Sequence, residues 1–320
     1  MGLNLGPILG PQNWPKIGSS ACINRGQVRG FWHWIDFLKH VAQIHGKEPI
    51  FLNLDETSVG LSFLQPPGCV VSKQRWKELA PPTAKVGNTQ KRGAVTFCAM
   101  ITHQTALQPL LPQVILGNRR ILSRAFCASL DGKMSPSVHV WAEKSGWMTS
   151  ALLVKYLNLV ADVMDSHLHV QGIVVLDCAP AHLGVEVVEV AKARGLYLCF
   201  VPAGCTAHLQ PLDVGCFGPC KAFLRRRARE VQMQTGSFTK QDWVAGLNHA
   251  ATAFLSGRRW KGVFERCGIL GNRMNLKGVL GSMALKYYEV EPALAAPSKQ
   301  VVNGLLPANR RLGHDDLMPA

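Results

Sequence analysis

Acidic side chains are scarce in this chain. Its 20 Asp and Glu stand against 35 Lys and Arg, leaving a net charge of +15 and a pI near 9.6. An excess of that size points to a polyanionic partner. Nucleic acid comes before a membrane surface, because no basic amphipathic anchor helix stands out. Long apolar runs are also missing. The best candidate, ALLVKYLNLVADVM, carries Lys155 and Asp162, which argues against a membrane span. The first residues, MGLNLGPILGPQNWPKIG, lack a charged segment followed by an apolar one, so no secretory signal is expected. Gly rather than Ser or Thr at position 6 argues against myristoylation. The ten cysteines have no dense, regular spacing and read as reduced thiols of the cytosol or nucleus. No internal repeat is visible. The expectation is an intracellular protein with no membrane partner and no small-molecule cofactor.

What is present is a strand–helix alternation. Residues 1 to about 26 are Gly- and Pro-rich and read as an irregular arm. From Gln27 to His45, apolar residues Phe31, Trp34, Ile35, Leu38, Val41 and Ala42 fall at helical spacing. PIFLNLDE, starting at Pro49, is the first predicted strand. A long connector from Thr57 to Arg92 follows, with basic residues Lys73, Arg75, Lys77, Lys85, Lys91 and Arg92. AVTFCAMI (94–101) and LLPQVIL (110–116) are the next strands, Pro112 suggesting an edge or a bulge in the second. Residues 118 to 141 show weak periodicity and receive no element. A helix beginning near Gly146 places Trp147, Leu152, Leu153, Tyr156, Leu157, Val160 and Val163 on one face, with Thr149 or Ser150 in its first turn. A strand closing at Asp177 follows, then a helix over 183–193 ended by Gly195, then the strand YLCFVP (197–202). Pro219 suits the first position of a basic helix, KAFLRRRAREVQMQ, and another helix covers roughly 240–255. The tail from about Glu291 reads as loosely structured.

The few acids are placed with purpose. In GIVVLDCAPAH, four apolar residues without alternation predict a central strand buried on both faces, and Asp177 closes it. A carboxylate there is costly to bury unless a metal or partner compensates. Asp55 closes PIFLNLDE in the same way, and Asp213 sits in HLQPLDVGCFGPCK just before a helix. Any one of these is ordinarily a cap or a turn former. Three at the carboxyl ends of strands in an open α/β sheet fall where such sheets bind ligands. The element order matches a ribonuclease-H-like fold: a mixed five-stranded sheet flanked by helices, with an additional C-terminal helical segment. Carboxylate oxygens are hard ligands suited to Mg²⁺ or Mn²⁺, and two such ions about 4 Å apart serve phosphodiester chemistry. Asp55 and Asp177 are assigned to the first ion and Asp213 to the second, with one of the first two bridging.

NLDET, VVLDCAPAH and HLQPLDVGCFGPCK resemble the three catalytic blocks of the DDE superfamily endonucleases, specifically the pogo-, Tigger- and jerky-type transposases of the Tc1/mariner group. That family usually ends its triad in Asp, with close to thirty-five residues between the second and third acids. Here residues 178 to 212, thirty-five positions, lie between them. AVTFCAMITHQTALQPLLPQVILGN, SGWMTSALLVKYL and RRWKGVFERCGIL resemble the segments around those blocks. The likeness covers roughly residues 48 to 270, which defines the catalytic domain. Residues 1–47 are an arm with an amphipathic helix, and residues 271–320 a partly irregular extension. Cys178 stands where the family often has Asn, and Cys216 where it often has a small aliphatic residue.

The resemblance implies a nuclear transposase or endonuclease domain that cleaves or transfers DNA strands with two divalent ions, its partners being DNA and a second copy of the chain. The 47 residues before the first strand are too few for the paired DNA-binding modules of such transposases. A domesticated or decayed DNA-binding protein without catalysis is therefore the alternative, and a host ribonuclease-H-like nuclease is a weaker third reading.

Around the acids, Glu56 is expected to point away from Asp55 and act indirectly. By the resemblance His182 belongs to the site, to contact phosphate or orient a ligand; from the residues alone it could equally be a histidine at a helix start bonded to backbone. Gln210 shapes the turn that aims Asp213. Lys221 could reach phosphate, and Arg225, Arg226, Arg227 and Arg229 are the expected sequence-independent DNA contacts. Cys199, Cys205, His208, Cys216 and Cys220 crowd the third block, but their irregular spacing favours buried thiols over structural zinc.

Overall fold

The apolar run ending at Asp177 does form a strand buried on both sides, with neighbours to its left and right in the sheet. The computed structural model describes residues 23–60, 93–288, 295–307 and 312–319. Its strands are β1 (Glu48–Gly60), β2 (Ala94–Thr102), β3 (Gln113–Asn118), β4 (Val138–Glu143), β5 (Val170–Asp177) and β6 (Tyr197–Val201). They pair in the order β4-β3-β2-β1-β5-β6. β2 is antiparallel to both β1 and β3, while β1–β5, β5–β6 and β3–β4 are parallel. Every strand except β2 therefore ends at the same edge of the sheet. Without β4, the order is that of a ribonuclease-H-like sheet.

The helices are α1 (Arg25–Ile44), α2 (Arg124–Ala128), α3 (Ser150–Asp165), α4 (Val185–Ala193), α5 (Thr206–Leu209), α6 (Phe217–Thr235), α7 (Lys240–His249), α8 (Lys261–Arg266), α9 (Gly278–Tyr288), α10 (Lys299–Leu305) and α11 (His314–Leu317). In α1, Asn24 caps the first turn by accepting from the Gly26 and Gln27 N–H groups at 2.9 and 3.4 Å. The helical stripe then buries Phe31, Trp32, Trp34, Ile35 and Leu38, each worth about 1.5–3 kcal/mol. Trp34 donates from Nε1 to the Leu198 carbonyl (3.1 Å), tying α1 to β6. At Gly30 an added Cβ would lie 3.1 Å from Val301 Cγ1, so glycine lets α10 close against α1. On α3, fully buried Tyr156 donates to the Pro112 carbonyl (2.6 Å) and anchors the helix beside β3.

Several expectations change. The sheet has six strands rather than five, because β4 occupies the stretch that showed weak periodicity; only Val138 and Trp141 of its six residues are buried, so alternation is faint. Pro112 precedes β3 rather than interrupting it, and β3 lies between two strands instead of at an edge. The connector begins after Gly60, since β1 continues past Asp55 to pair with β2. The six basic residues expected in that connector, like residues 1–22 of the expected irregular arm, lie outside the described residues, and the last of that arm, Arg25 and Gly26, already belong to α1. Trp147 precedes α3 and is exposed, because Thr149 rather than an earlier residue caps the helix. Pro219 is the third residue of α6, not the first. A π-helical turn over Leu212–Cys216 runs directly into α6 and widens the backbone ahead of the proline ring. The predicted 240–255 helix is α7 continued by a second π turn, Ala250–Leu255. Part of the C-terminal tail is ordered: α10 and α11 follow Glu291, and Val302, Leu305 and Leu317 join the same core as the sheet.

Candidate active site

Register places the first two acids. β1 and β5 run in step, Leu52 beside Val174 and Asn53 beside Val175. Two residues further, Asp55 and Asp177 come level with one another, on strands about 4.8 Å apart, where β5 ends and β1 runs on with β2 alone. Asn53 fixes this step. Its Nδ2 donates to the Val175 carbonyl (2.9 Å), and its Oδ1 accepts from the Leu212 N–H (2.7 Å). The second bond draws the π turn, and with it Asp213, against β1. Gln210 adds a stitch by donating from Nε2 to the Leu54 carbonyl (3.2 Å). One polar residue inside β1 thus ties all three acid-bearing segments together.

The electrostatics follow. Burial, then the charge of Asp213, then those of Glu56 and Asp177 push the Asp55 carboxyl up to about 8; the Glu56 N–H, donating to its Oδ1 at 2.8 Å, offsets this only in part. Asp213 is raised by burial and by Asp177, with Lys221 opposing. Burial also works against an ionised Asp177, but His182 and the Ala179 N–H outweigh it and hold that carboxyl below its usual range.

His182 is 1% exposed and lies in the turn before α4. Its Nδ1 meets Asp177 Oδ1 at 2.6 Å and its Nε2 meets Glu56 Oε1 at 3.1 Å. Burial favours the neutral ring, yet two carboxylate partners override it and raise His182 to about 10. Both ring nitrogens face carboxylate oxygens, which accept when ionised, so the two contacts favour the imidazolium. Strand alternation does carry Glu56 away from Asp55, and it carries it to this histidine. Glu56 is joined to Asp177 through the ring.

Among the described residues, no three His, Cys, Asp or Glu side chains are close enough to hold one ion as they stand. The cysteines of the third block are buried thiols, raised by burial. Lys221, one turn into α6, is half-buried and acts on the charge of Asp213. Arg225 is half-buried; Arg226, Arg227 and Arg229 are exposed on α6, the first two sharing Glu230 at 3.7 and 3.5 Å. Two residues were missed in the sequence. Asn53 carried a signal, being polar in an apolar strand two residues before an acid. Arg266, whose guanidinium lies against Gly215 two residues past Asp213, carried none.

A ribonuclease-H-like sheet with three acids drawn toward one edge defines a class of acid-site α/β domains. The chain belongs to the DDE superfamily endonuclease family, whose sequence profile matches residues 90–259. It is 26% identical over 200 residues to the human "Pogo transposable element with ZNF domain", an alignment covering 62% of this chain and 13% of that protein. A shorter segment of 89 residues is 29% identical to the "MFS-type transporter clz9" of Cochliobolus lunatus, covering 28% of this chain and 9% of that one. Among the described residues, no helix is long and apolar enough to cross a membrane. The chain thus spans about an eighth or less of the curated relatives it matches. A solved Mos1 transposase paired-end complex with left transposon end aligns over 82% of this chain and 68% of its own, at 12% identity and a TM-score of 0.39.

Proposed function

We propose that this domain binds DNA in the nucleus and cleaves or transfers phosphodiester bonds at the edge where Asp55, Asp177 and Asp213 meet, working as a homodimer. The observation that carries this reading is that Asn53 and Gln210 tie the three acid-bearing segments together at one edge, where burial first and then the charges of Asp213, Glu56 and Asp177 push Asp55 up to about 8. Three hard oxygen donors that oppose one another's ionisation suit divalent cations such as Mg²⁺ or Mn²⁺. When bound, two such ions supply Lewis acidity toward the phosphoryl group and an activated oxygen nucleophile.

The chain's own groups do the rest. Asp55 and Asp177 would hold one ion and Asp213 the other. Asn53 and Gln210 set the distances between their segments, and His182 occupies one Asp177 oxygen, leaving the other available as a ligand. Lys221, Arg225, Arg226, Arg227 and Arg229 take up DNA phosphates without reading sequence.

The test is nicking of a supercoiled plasmid in Mg²⁺ or Mn²⁺, wild type against Asp177→Ala. Nicking that needs metal and vanishes in the variant is the expected result. If the wild type binds DNA but nicks no faster than the variant, the chain is a DNA-binding remnant of a transposase. His182→Ala should bind DNA normally and nick about 10–100-fold more slowly, the usual cost of losing a partner that orients a metal ligand. An unchanged rate would remove His182 from the site.

A further inference from the structure

Trp147 is 76% exposed, while the other described tryptophans are at most 6% exposed. Its surroundings are fixed. The Thr96 hydroxyl donates to the Gly146 carbonyl, and Thr96 pairs across the sheet with Ser58, three residues past Asp55. On the other side Thr149 caps α3 by accepting from the Leu152 N–H (3.3 Å). Ser150 then lies so close to Gly184 that a Cβ there would sit 2.8 Å from its Oγ, and Gly184 is two residues past His182. Trp147 thus stands between the exits of the two strands that carry Asp55 and Asp177.

The charge beside it is positive. Gly146 rests on the Gly117–Asn118 backbone, and the Arg119 N–H donates to the Glu143 carbonyl (2.9 Å), joining the loops after β3 and β4. Those loops present Arg119, Arg120 and Lys144 to solvent, with half-buried Glu143 their one acid. Ile44, Leu110 and Leu168, also exposed, sit at or near the opposite edge. An indole kept out of the core on a framed loop, with cations on the loops beside it, is how proteins stack an unpaired nucleobase.

We propose that Trp147, flanked by Arg119, Arg120 and Lys144, is a stacking platform for an unpaired DNA base next to the three acids. The inference rests on the DNA-binding reading above and adds a preference for strands whose bases are open. Stacking holds the base by its face, so it is tolerant of sequence, and the cations take the adjoining phosphates.

The test is fluorescence anisotropy in EDTA, where binding is read without cleavage, with short single-stranded and fully paired DNAs of one sequence. Trp147→Ala should weaken single-strand binding about tenfold, and Trp147→Phe should recover most of it. Affinity for paired DNA, set by phosphate contacts, should change by no more than about twofold. 2-Aminopurine in the single strand should be quenched by the wild type and not by Trp147→Ala. Equal losses on both DNAs, no loss on either, or unchanged quenching overturns the platform while leaving DNA binding intact. Failure of the wild type to bind either DNA overturns both readings. Metal-dependent nicking is independent of every one of these readouts.

Discussion

Exchanging Asp55 for asparagine is expected to abolish nicking and yet make the metal-free protein harder to unfold near pH ~7.5. The two effects share one cause. Asp55 is raised to about 8 by burial and by neighbouring acids, so the fold holds a proton that the unfolded chain, with its carboxyl near 3.8, releases. Stability from this group is full below the unfolded value and is lost as pH rises toward the folded value. Across that window the wild type should lose up to one proton's worth, about 1.4 kcal/mol per pH unit, that Asp55→Asn does not lose. Urea unfolding in EDTA at several pH values reads the difference in slope directly. Parallel slopes would mean that Asp55 is ionised without metal and that burial and its acid neighbours do not hold its proton.

Mg²⁺ should reverse the order. It requires the deprotonated carboxylate, so it should stabilise the wild type more at the alkaline end of the window and the variant hardly at all. Wild-type nicking should climb with pH over the same range. Loss of a ligand worth several kcal/mol of transition-state stabilisation corresponds to about a thousandfold or more in rate.

Arg273→Met should be the most damaging single change outside the site. Arg273 is 4% exposed and grips Asp36 with both terminal nitrogens, at 2.6 and 2.8 Å, while its Nε donates to the Gly268 carbonyl. The Tyr287 hydroxyl donates to the same carboxylate at 2.7 Å. This knot joins α1 to α9 and to the turn between α8 and α9. Removing only this guanidinium leaves Asp36, in a mostly buried site, with the Tyr287 hydroxyl and the Lys39 ammonium at 3.8 Å, a loss of about 3 kcal/mol. Tm should fall by roughly 10 °C at the usual conversion for a chain of this size. The double variant Asp36→Leu/Arg273→Met removes both charges of the pair, leaves Lys39 on the Ile269 carbonyl, and should regain most of the loss. If it is as unstable as the single variant, shape rather than charge holds the knot.

The legible parts of this chain were those with local causes. β5 announced itself through unbroken apolar residues, α1 through its stripe, and the acids through their place at the ends of such runs. β4 was illegible because an edge strand with two buried residues hardly alternates. Trp147 was misplaced because apolar spacing cannot show where a cap will start a helix. The His182–Glu56 contact joins residues 126 positions apart, and nothing local marks it. Asn53 lay in plain view, but its importance comes from two partners that only the folded sheet supplies.

The closing of α10 over Gly30 also has a meaning in time. Gln27 of α1 donates to the Gly304 carbonyl, 277 residues downstream. A ribosome adding about 5–20 residues each second needs roughly 15–55 s to make that span. Throughout that interval the first helix is complete while α10, which will cover Gly30, does not yet exist. Until α10 emerges, the Gly30 face of that helix stays uncovered, a natural target for chaperones that shield apolar helices.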